Sequence, residues 1–280
     1  MAGDNAKQIA DWNGAVGAHW AAEQERNDRL IRAFGEAALA AAGARAGEAV
    51  LDVGCGCGDT SLALADSVGV TGRVVGVDVS AAMLAVARTR ANGRENVTFV
   101  EADASRAELP ETFDLLYSRF GVMFFDEPEA AFRQLRKAIR TGGRVAFCCW
   151  QRPQDNPWAM VPMLAAQGAS GLDMPRPDPH APGPFAFADA VRLAGILEAA
   201  GFGSVEAEPF EAPMFLGSSV RSAAEGCTKM GPASRIAREA GPDRLPAITE
   251  AVAAALTPLA GADGSVALPG RVWVVTARAT

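Results

Sequence analysis

The residues best suited to chemistry are three carboxylates and a glycine-rich turn. Asp52-Val53-Gly54-Cys55-Gly56-Cys57-Gly58 follows an apolar run and precedes an apolar, helix-like stretch. Glycines at alternate positions let the backbone turn tightly and approach a ligand without Cβ clashes, and a following helix offers free N–H groups there. Two details separate this turn from a dinucleotide loop. Its spacing is GxGxG rather than GxGxxG, and Asp52 stands before the first glycine, where it would repel a pyrophosphate. A cationic ligand fits better. Asp78 lies 26 residues beyond Asp52, placed to accept hydrogen bonds from both hydroxyls of a ribose. Asp103-Ala104 closes the next apolar run, where a carboxylate can accept from the exocyclic amine of an adenine. One acid at the end of each of three successive strands describes a nucleoside site.

Short β-type runs alternate with helical ones around these acids: AVLDVG, TSLALADSV, RVVGVD, AAMLAVARTRA, NVTFVEAD, FDLLYS, EAAFRQLRKAI and GGRVAFCCW. Such alternation predicts right-handed crossovers and a parallel sheet covered on both faces, whose ligand crevice lies at the carboxyl ends of the strands. Upstream, Ile9, Trp12, Val16 and Trp20 are spaced to share one face of a helix, and a second helix is expected from about Leu30 to Ala42. After Trp150 the segments QRPQDNPW and DMPRPDPHAPGPFAF carry many prolines, which resist regular structure and suggest a loop or lid. A helix from about Ala188 to Ala200, a strand near SVEAEPF, helices between about Ser218 and Leu259 and a closing strand RVWVVTARA complete the expectation.

The segments VLDVGCGCG, VVGVDVS, VTFVEADA, FDLLYSRFGVMFF and GGRVAFCCW, across roughly residues 48 to 150, resemble the class I S-adenosylmethionine (SAM)-dependent methyltransferases. The branch they look most like contains the ubiquinone and menaquinone C-methyltransferases and other bacterial small-molecule enzymes. The resemblance implies an α/β fold with a Rossmann-like, doubly wound seven-stranded sheet, the last strand antiparallel, with N-terminal helices and a helical cap inserted before the final strand. The expected organisation is an N-terminal helical lid over residues 1–45 and a SAM-binding domain over 46–280, with a loop or lid at 151–187 and the cap at 214–268. The implied cofactor is SAM, with S-adenosylhomocysteine as product. In such enzymes the glycine loop packs against the methionine moiety. That role would fall on Asp52, Gly54, Gly56 and Gly58, with Asp78 on the ribose and Asp103 and the Ala104 backbone on the adenine. Met83 would lie on the adenine ring and Ser118 and Arg119 would line the methionine end, while Trp12 and Trp20 would either close over the pocket as a lid or belong to an amphipathic helix packed on the domain.

Methyl transfer from a sulfonium is an in-line displacement on an activated donor, so the protein chiefly holds the reactants and excludes water. A base is needed only for some acceptors. The chain has two histidines, His19 and His180, and one tyrosine, Tyr117. His19, beside Trp20, is either a candidate base or an interfacial or surface histidine; His180 sits in the Pro-rich stretch and reads as an exposed loop residue. Asp126 before Glu127-Pro128 reads as a helix N-cap. Arg119 is suited to clamp a carboxylate or to face solvent. Phe120, Phe124 and Phe125 are suited to wall an acceptor pocket or to pack on the sheet.

The fourth run leads into Ser118-Arg119-Phe120, not the Asn/Asp-Pro-Pro-aromatic motif of amino-methyltransferases acting on nucleic acid and protein. Asn156-Pro157-Trp158 comes after the fifth run and does not replace it. Net charge is −7 and the 26 basic residues are scattered, so no basic stripe awaits a phosphate backbone. Nucleic acid is not an expected partner; a small-molecule acceptor is. No apolar run approaches the roughly 20 residues that span a bilayer, and the five cysteines do not form a secreted disulfide framework, so a cytoplasmic protein with reduced thiols is expected. Cys55 and Cys57 lack a second Cys/His pair nearby, and no metal site is expected. Oligomeric state is left open, a homodimer included. Three other readings remain: a non-catalytic SAM-binding or assembly protein, a methyltransferase of peptides or proteins, and a nucleotide-dependent oxidoreductase.

Overall fold

The computed structural model describes residues 5–109, 112–173 and 178–280. The chain opens with α1 (Asn5–Asn13), α2 (Ala15–Ala22) and α3 (Gln24–Ala42). It continues through β1 (Ala49–Val53), α4 (Asp59–Val68), β2 (Arg73–Asp78), α5 (Ala81–Ala91), β3 (Val97–Glu101), β4 (Phe113–Arg119), α6 (Pro128–Lys137) and β5 (Ile139–Trp150). Then follow α7 (Pro157–Ser170), α8 (Ala190–Ala199), β6 (Phe202–Gly217), α9 (Val220–Cys227), α10 (Pro232–Ala240), α11 (Leu245–Leu256) and β7 (Val266–Ala279). The seven strands form one sheet in the order β3-β2-β1-β4-β5-β7-β6, the last strand antiparallel. The first five pair in parallel, with Leu51 opposite Val75 on β2 and Leu116 on β4. All five residues of β1 are buried, as a strand covered on both faces requires. The expected α/β architecture is therefore present.

Two compact units divide the chain. The first comprises residues 1–149, 180–210 and 272–280 and contains Asp52, Asp78, Asp103 and the glycine-rich turn. Within it α3 packs on β4 and α4, α2 packs on α5, and α6 packs on α8. Phe132 of α6 is wholly buried among Phe125, Phe147, Phe187 and Phe202, with ring centroids 5.8–6.4 Å away. Phe125 thus packs on the helical layer.

The stripe Ile9, Trp12, Val16, Trp20 does not ride on one helix. Gly14 breaks it with an extended ψ of −147°, and α1 folds against α2, which brings Trp12 edge-on to Trp20 at 6.0 Å. Helix α3 starts earlier than expected, at Gln24, and ends on Gly43, whose φ of 53° lets its N–H reach the Leu39 carbonyl. Asp126 is not the N-cap of α6: that position is Glu127, and Asp126 accepts the Glu127 N–H through its own carboxylate.

The second unit comprises residues 150–179 and 211–271 and is largely helical. Its Pro-rich opening, expected to lack regular structure, contains the 14-residue helix α7. Pro157 sits in the first turn, where its missing N–H costs nothing. Asn156 is fully buried; its amide donates to the carbonyls of Gln151, Arg152 and Arg271 and accepts from Trp158 Nε1 and the Arg271 N–H. Those bonds organise the helix start and offset the loss at the interior Pro162. Residues 174–177 of the expected loop, and residues 1–4 of the expected N-terminal lid, lie outside the described residues.

Candidate functional site: strand-end acids around a glycine loop

Asp52 is the fourth residue of β1 and is completely buried, between Gly76 of β2 and Tyr117 of β4. Its Oδ2 accepts from the hydroxyls of Thr60 (2.9 Å) and Ser61 (2.6 Å), whereas Oδ1 has no partner among the described residues. Burial pushes its carboxyl up to about 6, against the lowering effect of the Ser61 and Thr60 hydroxyls and the Arg119 charge. An ionised carboxylate only accepts, so this buried oxygen asks for a donor.

Asp78 ends β2. It accepts the Gly56 N–H on Oδ2 (2.8 Å) and the Ser80 N–H on Oδ1 (2.9 Å), and burial holds its carboxyl above the usual range despite these bonds. Each oxygen keeps a lone pair for a further donor. Asp103 lies two residues beyond β3, half-buried, with its Oδ1 accepting from the Ser105 N–H and hydroxyl. Ala104 beside it is buried.

All three loop glycines have positive φ, of 69°, 53° and 81°. A Cβ at Gly54 would lie 2.6 Å from Gly121 Cα, and one at Gly58 would lie 2.9 Å from Phe99 Cζ. These two are glycines because the protein's own chain crosses there. At Gly56 the nearest atom is Met83 Sδ, 3.7 Å away, so the open side of the loop is at Gly56, with the buried thioether of Met83 as a soft wall.

Ser118 and Arg119 belong to β4 instead of following it. The Ser118 hydroxyl donates to the Val53 carbonyl (2.7 Å) and accepts the Gly121 N–H (3.1 Å), tying β4 to the glycine loop. The Arg119 guanidinium does not reach for an external carboxylate or solvent. It pairs with Asp28 (3.0 Å) and Asp59 (2.9 Å), while Arg90 pairs with the same two acids (3.1 Å each) and donates to the Cys57 carbonyl (2.8 Å). Asp28, Arg90, Asp59 and Arg119 thus close a ring of alternating charge that joins α3, α4, α5 and β4 around the loop. Sequence reasoning missed Asp28, Asp59 and Arg90. The available signal was a polar Asn27-Asp28 pair in the otherwise apolar stripe of α3 with Leu30, Ile31, Phe34 and Ala38, a pattern that asks for partners.

The N-terminal helices attach beside Asp78. Asn13 Nδ2 donates to the Val79 carbonyl (2.7 Å) and its Oδ1 accepts the Ala81 N–H (3.1 Å). Gly17 approaches so closely that a Cβ would lie 2.6 Å from Ser80 Oγ. Trp12 meets Phe124 edge-on at 5.2 Å, and Trp12 and Trp20 are half-buried. His19 is half-buried on α2, and its Nε2 is buried without a partner among the described residues. His180 is exposed in its loop. Phe120, next to Arg119, is held at φ 63°, a costly conformation for an aromatic residue, with its ring 6.1 Å from Phe34. Burial pushes the Cys55 thiol well up and Cys57 to about 11, leaving both protonated and poor as metal ligands. Among the described residues no cluster of His, Cys, Asp and Glu is able to hold a metal, and no helix is long and apolar enough to cross a membrane.

Residues 50–143, about a third of the chain, match the family model described as a methyltransferase domain. The ubiquinone/menaquinone biosynthesis C-methyltransferase of Cellvibrio japonicus is 33% identical over 121 residues, 42% of this chain and 49% of that protein. The demethylmenaquinone methyltransferase of Clavibacter sepedonicus is 37% identical over 130 residues, 45% of this chain and 50% of that protein. The chain spans about half the length of these relatives. Among solved structures, the YcgJ protein of Bacillus subtilis has the same fold, with a TM-score of 0.59 over 89% of this chain and 98% of that one, at 18% identity.

The fold and the family match define a class I methyltransferase domain, the class whose cofactor is SAM. Within that class the domain is related to the ubiquinone/menaquinone C-methyltransferases. The residues present fit the cofactor: paired lone pairs on Asp78 for a ribose, a soft wall at Met83, and an orphaned carboxylate oxygen on Asp52 for a cationic group.

Proposed function

We propose that the protein moves a methyl group from SAM to a small-molecule acceptor. The observation that carries this reading is the convergence at the strand ends of buried Asp52, Asp78 and Met83 on the glycine loop, where the Gly56 N–H meets Asp78 and Met83 Sδ faces Gly56, with Asp103 and Ala104 one strand further along. When bound there, SAM supplies an electrophilic methyl on a positive sulfur. Asp78 would orient the ribose, Asp103 and the Ala104 backbone the adenine, and Met83 would face the base. Gly54, Gly56 and Gly58 shape the floor, Ser118 and Arg119 fix that floor to β4, and Trp12 and Trp20 keep water out of the N-terminal side. If the acceptor is a hydroxyl, His19 is the chain's candidate base, its Nε2 having no hydrogen-bond partner among the described residues.

A small acceptor is supported by the scattering of basic residues in the sequence and by the role of the Cellvibrio japonicus relative in ubiquinone and menaquinone biosynthesis. A cytoplasmic location is supported by five cysteines that are buried and unbridged. The test is incubation of the purified protein with methyl-labelled SAM and fractionated cell extract. Label should move into low-molecular-mass organic material; label confined to protein or nucleic acid, or no transfer despite donor binding, contradicts the reading.

A further inference from the structure

The peptide that joins Val79 to Ser80 carries a contact at each end. Its N–H, from Ser80, donates to Asp78 Oδ1 (2.9 Å), and its carbonyl, from Val79, accepts from Asn13 Nδ2 (2.7 Å). A peptide group is planar, so the Asn13 amide and the Asp78 carboxylate hold one rigid unit from opposite edges. Asn13 Oδ1 also accepts the N–H of the next peptide, at Ala81 (3.1 Å), while Nδ2 reaches back to the Ile9 carbonyl (3.2 Å) of its own helix. The first N–H groups of α5 need partners from outside the helix, and Ser80, the residue placed to supply one, does not. It makes no side-chain cap, and its buried hydroxyl has no partner among the described residues. Asn13, at the end of α1, supplies the missing contact from a different helix. Gly17 of α2 closes the arrangement, since a Cβ there would lie 2.6 Å from Ser80 Oγ.

We propose that Asn13 is a positioning residue for Asp78, an inference that rests on the donor assignment made above. The other oxygen of Asp78 accepts the Gly56 N–H at 2.8 Å. Two backbone donors therefore set the plane of the carboxylate, one in the glycine loop and one on the peptide that Asn13 grips. Hydrogen bonds weaken steeply when misaligned, so two adjacent ribose hydroxyls are read well only while that plane is fixed. Asn13 is itself exposed, so water takes over its bonds when it is replaced, and what is lost is the aim of Asp78 and not the fold.

The test reads how strongly the full chain distinguishes S-adenosylhomocysteine from its 2′-deoxy analogue in calorimetric titrations. In the wild type, loss of one hydroxyl that donates to a charged acceptor should weaken binding by about tenfold or more. In Asn13→Ala that ratio should fall to about threefold or less, because the freed peptide lets Asp78 turn away from the ribose. Asn13→Asp, nearly isosteric, keeps an acceptor for the Ala81 N–H but sets a carboxylate against the Val79 carbonyl, and should lower the ratio as well. A merely structural role would weaken both ligands alike and leave the ratio at its wild-type value. That result in either variant overturns the role of Asn13 and leaves the donor assignment standing. A wild-type protein that binds S-adenosylhomocysteine but does not distinguish the deoxy analogue overturns the ribose role of Asp78 and this inference with it. One that binds neither ligand overturns the donor assignment as well.

Discussion

Arg119 and Asp28 stand 91 positions apart in the chain and meet at 3.0 Å, closing a ring of two acids and two arginines around the glycine loop. Asp28 is 7% exposed, so removing it leaves both arginines short of a partner in a poorly solvated place. Part of the ring is wetter, through Arg90 and Asp59, which lowers the cost. Asp28→Ala should destabilise the protein by about 2–4 kcal/mol, a fall of about 3–7 °C in melting temperature. Arg119→Lys should come close to the same fall, because one ammonium does not span two carboxylates. A melting curve unchanged by either substitution would show that the ring is ornamental.

Gly17 tests how the N-terminal helices dock. A Cβ there would lie 1.8 Å from the Trp12 carbonyl and 2.6 Å from Ser80 Oγ, so Gly17→Ala must push α2 away from α1 and from the start of α5. Limited proteolysis should then cut residues 5–22 faster, with a cost of about 1–3 kcal/mol. Asn13→Ala, which removes the two bonds to the Val79 and Ala81 backbone, should act in the same direction. Unchanged cleavage would contradict this docking.

The strand-end acids and the glycine loop were legible because each is a residue type whose chemistry is local: a glycine at positive φ, a carboxylate closing a strand. The break at Gly14 was not, since the spacing of Ile9, Trp12, Val16 and Trp20 satisfies one helix as well as two that fold together. Helix α7 was hidden by its prolines, whose cost is met by Asn156 contacts with the distant Arg271 backbone. Arg119 was ambiguous for the same reason, because its partners lie far away at Asp28 and Asp59. Packing partners brought together by the fold leave little trace in local spacing.

Asp52 predicts how donor binding depends on pH. Its carboxyl is raised to about 6 by burial, and a cationic group at Oδ1 favours the ionised form, so binding must lower that value. Donor affinity should therefore rise with pH through about 6 and level off above it, with protons released on binding near that point. Asp78, also raised by burial, adds to the slope because ribose hydroxyls donate to its ionised form. Calorimetry in buffers of different ionisation enthalpy reads the proton count, and Asp52→Asn should reduce it. Affinity that rises as the pH falls would contradict the assignment.

Asp78→Ala should weaken donor binding by about a hundredfold, since two hydrogen bonds to a charged acceptor vanish. It also strands the Gly56 and Ser80 N–H groups, so a loss of about 1–3 kcal/mol in stability should accompany it. Thermal melts and binding isotherms on the same samples separate the two effects, and donor affinity equal to wild type would exclude Asp78 from the site.

The most direct test of the donor site is a titration of the wild-type protein with S-adenosylhomocysteine beside NAD and NADP under the same conditions. One molecule of S-adenosylhomocysteine should bind per chain and neither dinucleotide should. Binding of a dinucleotide with none of S-adenosylhomocysteine would contradict the account.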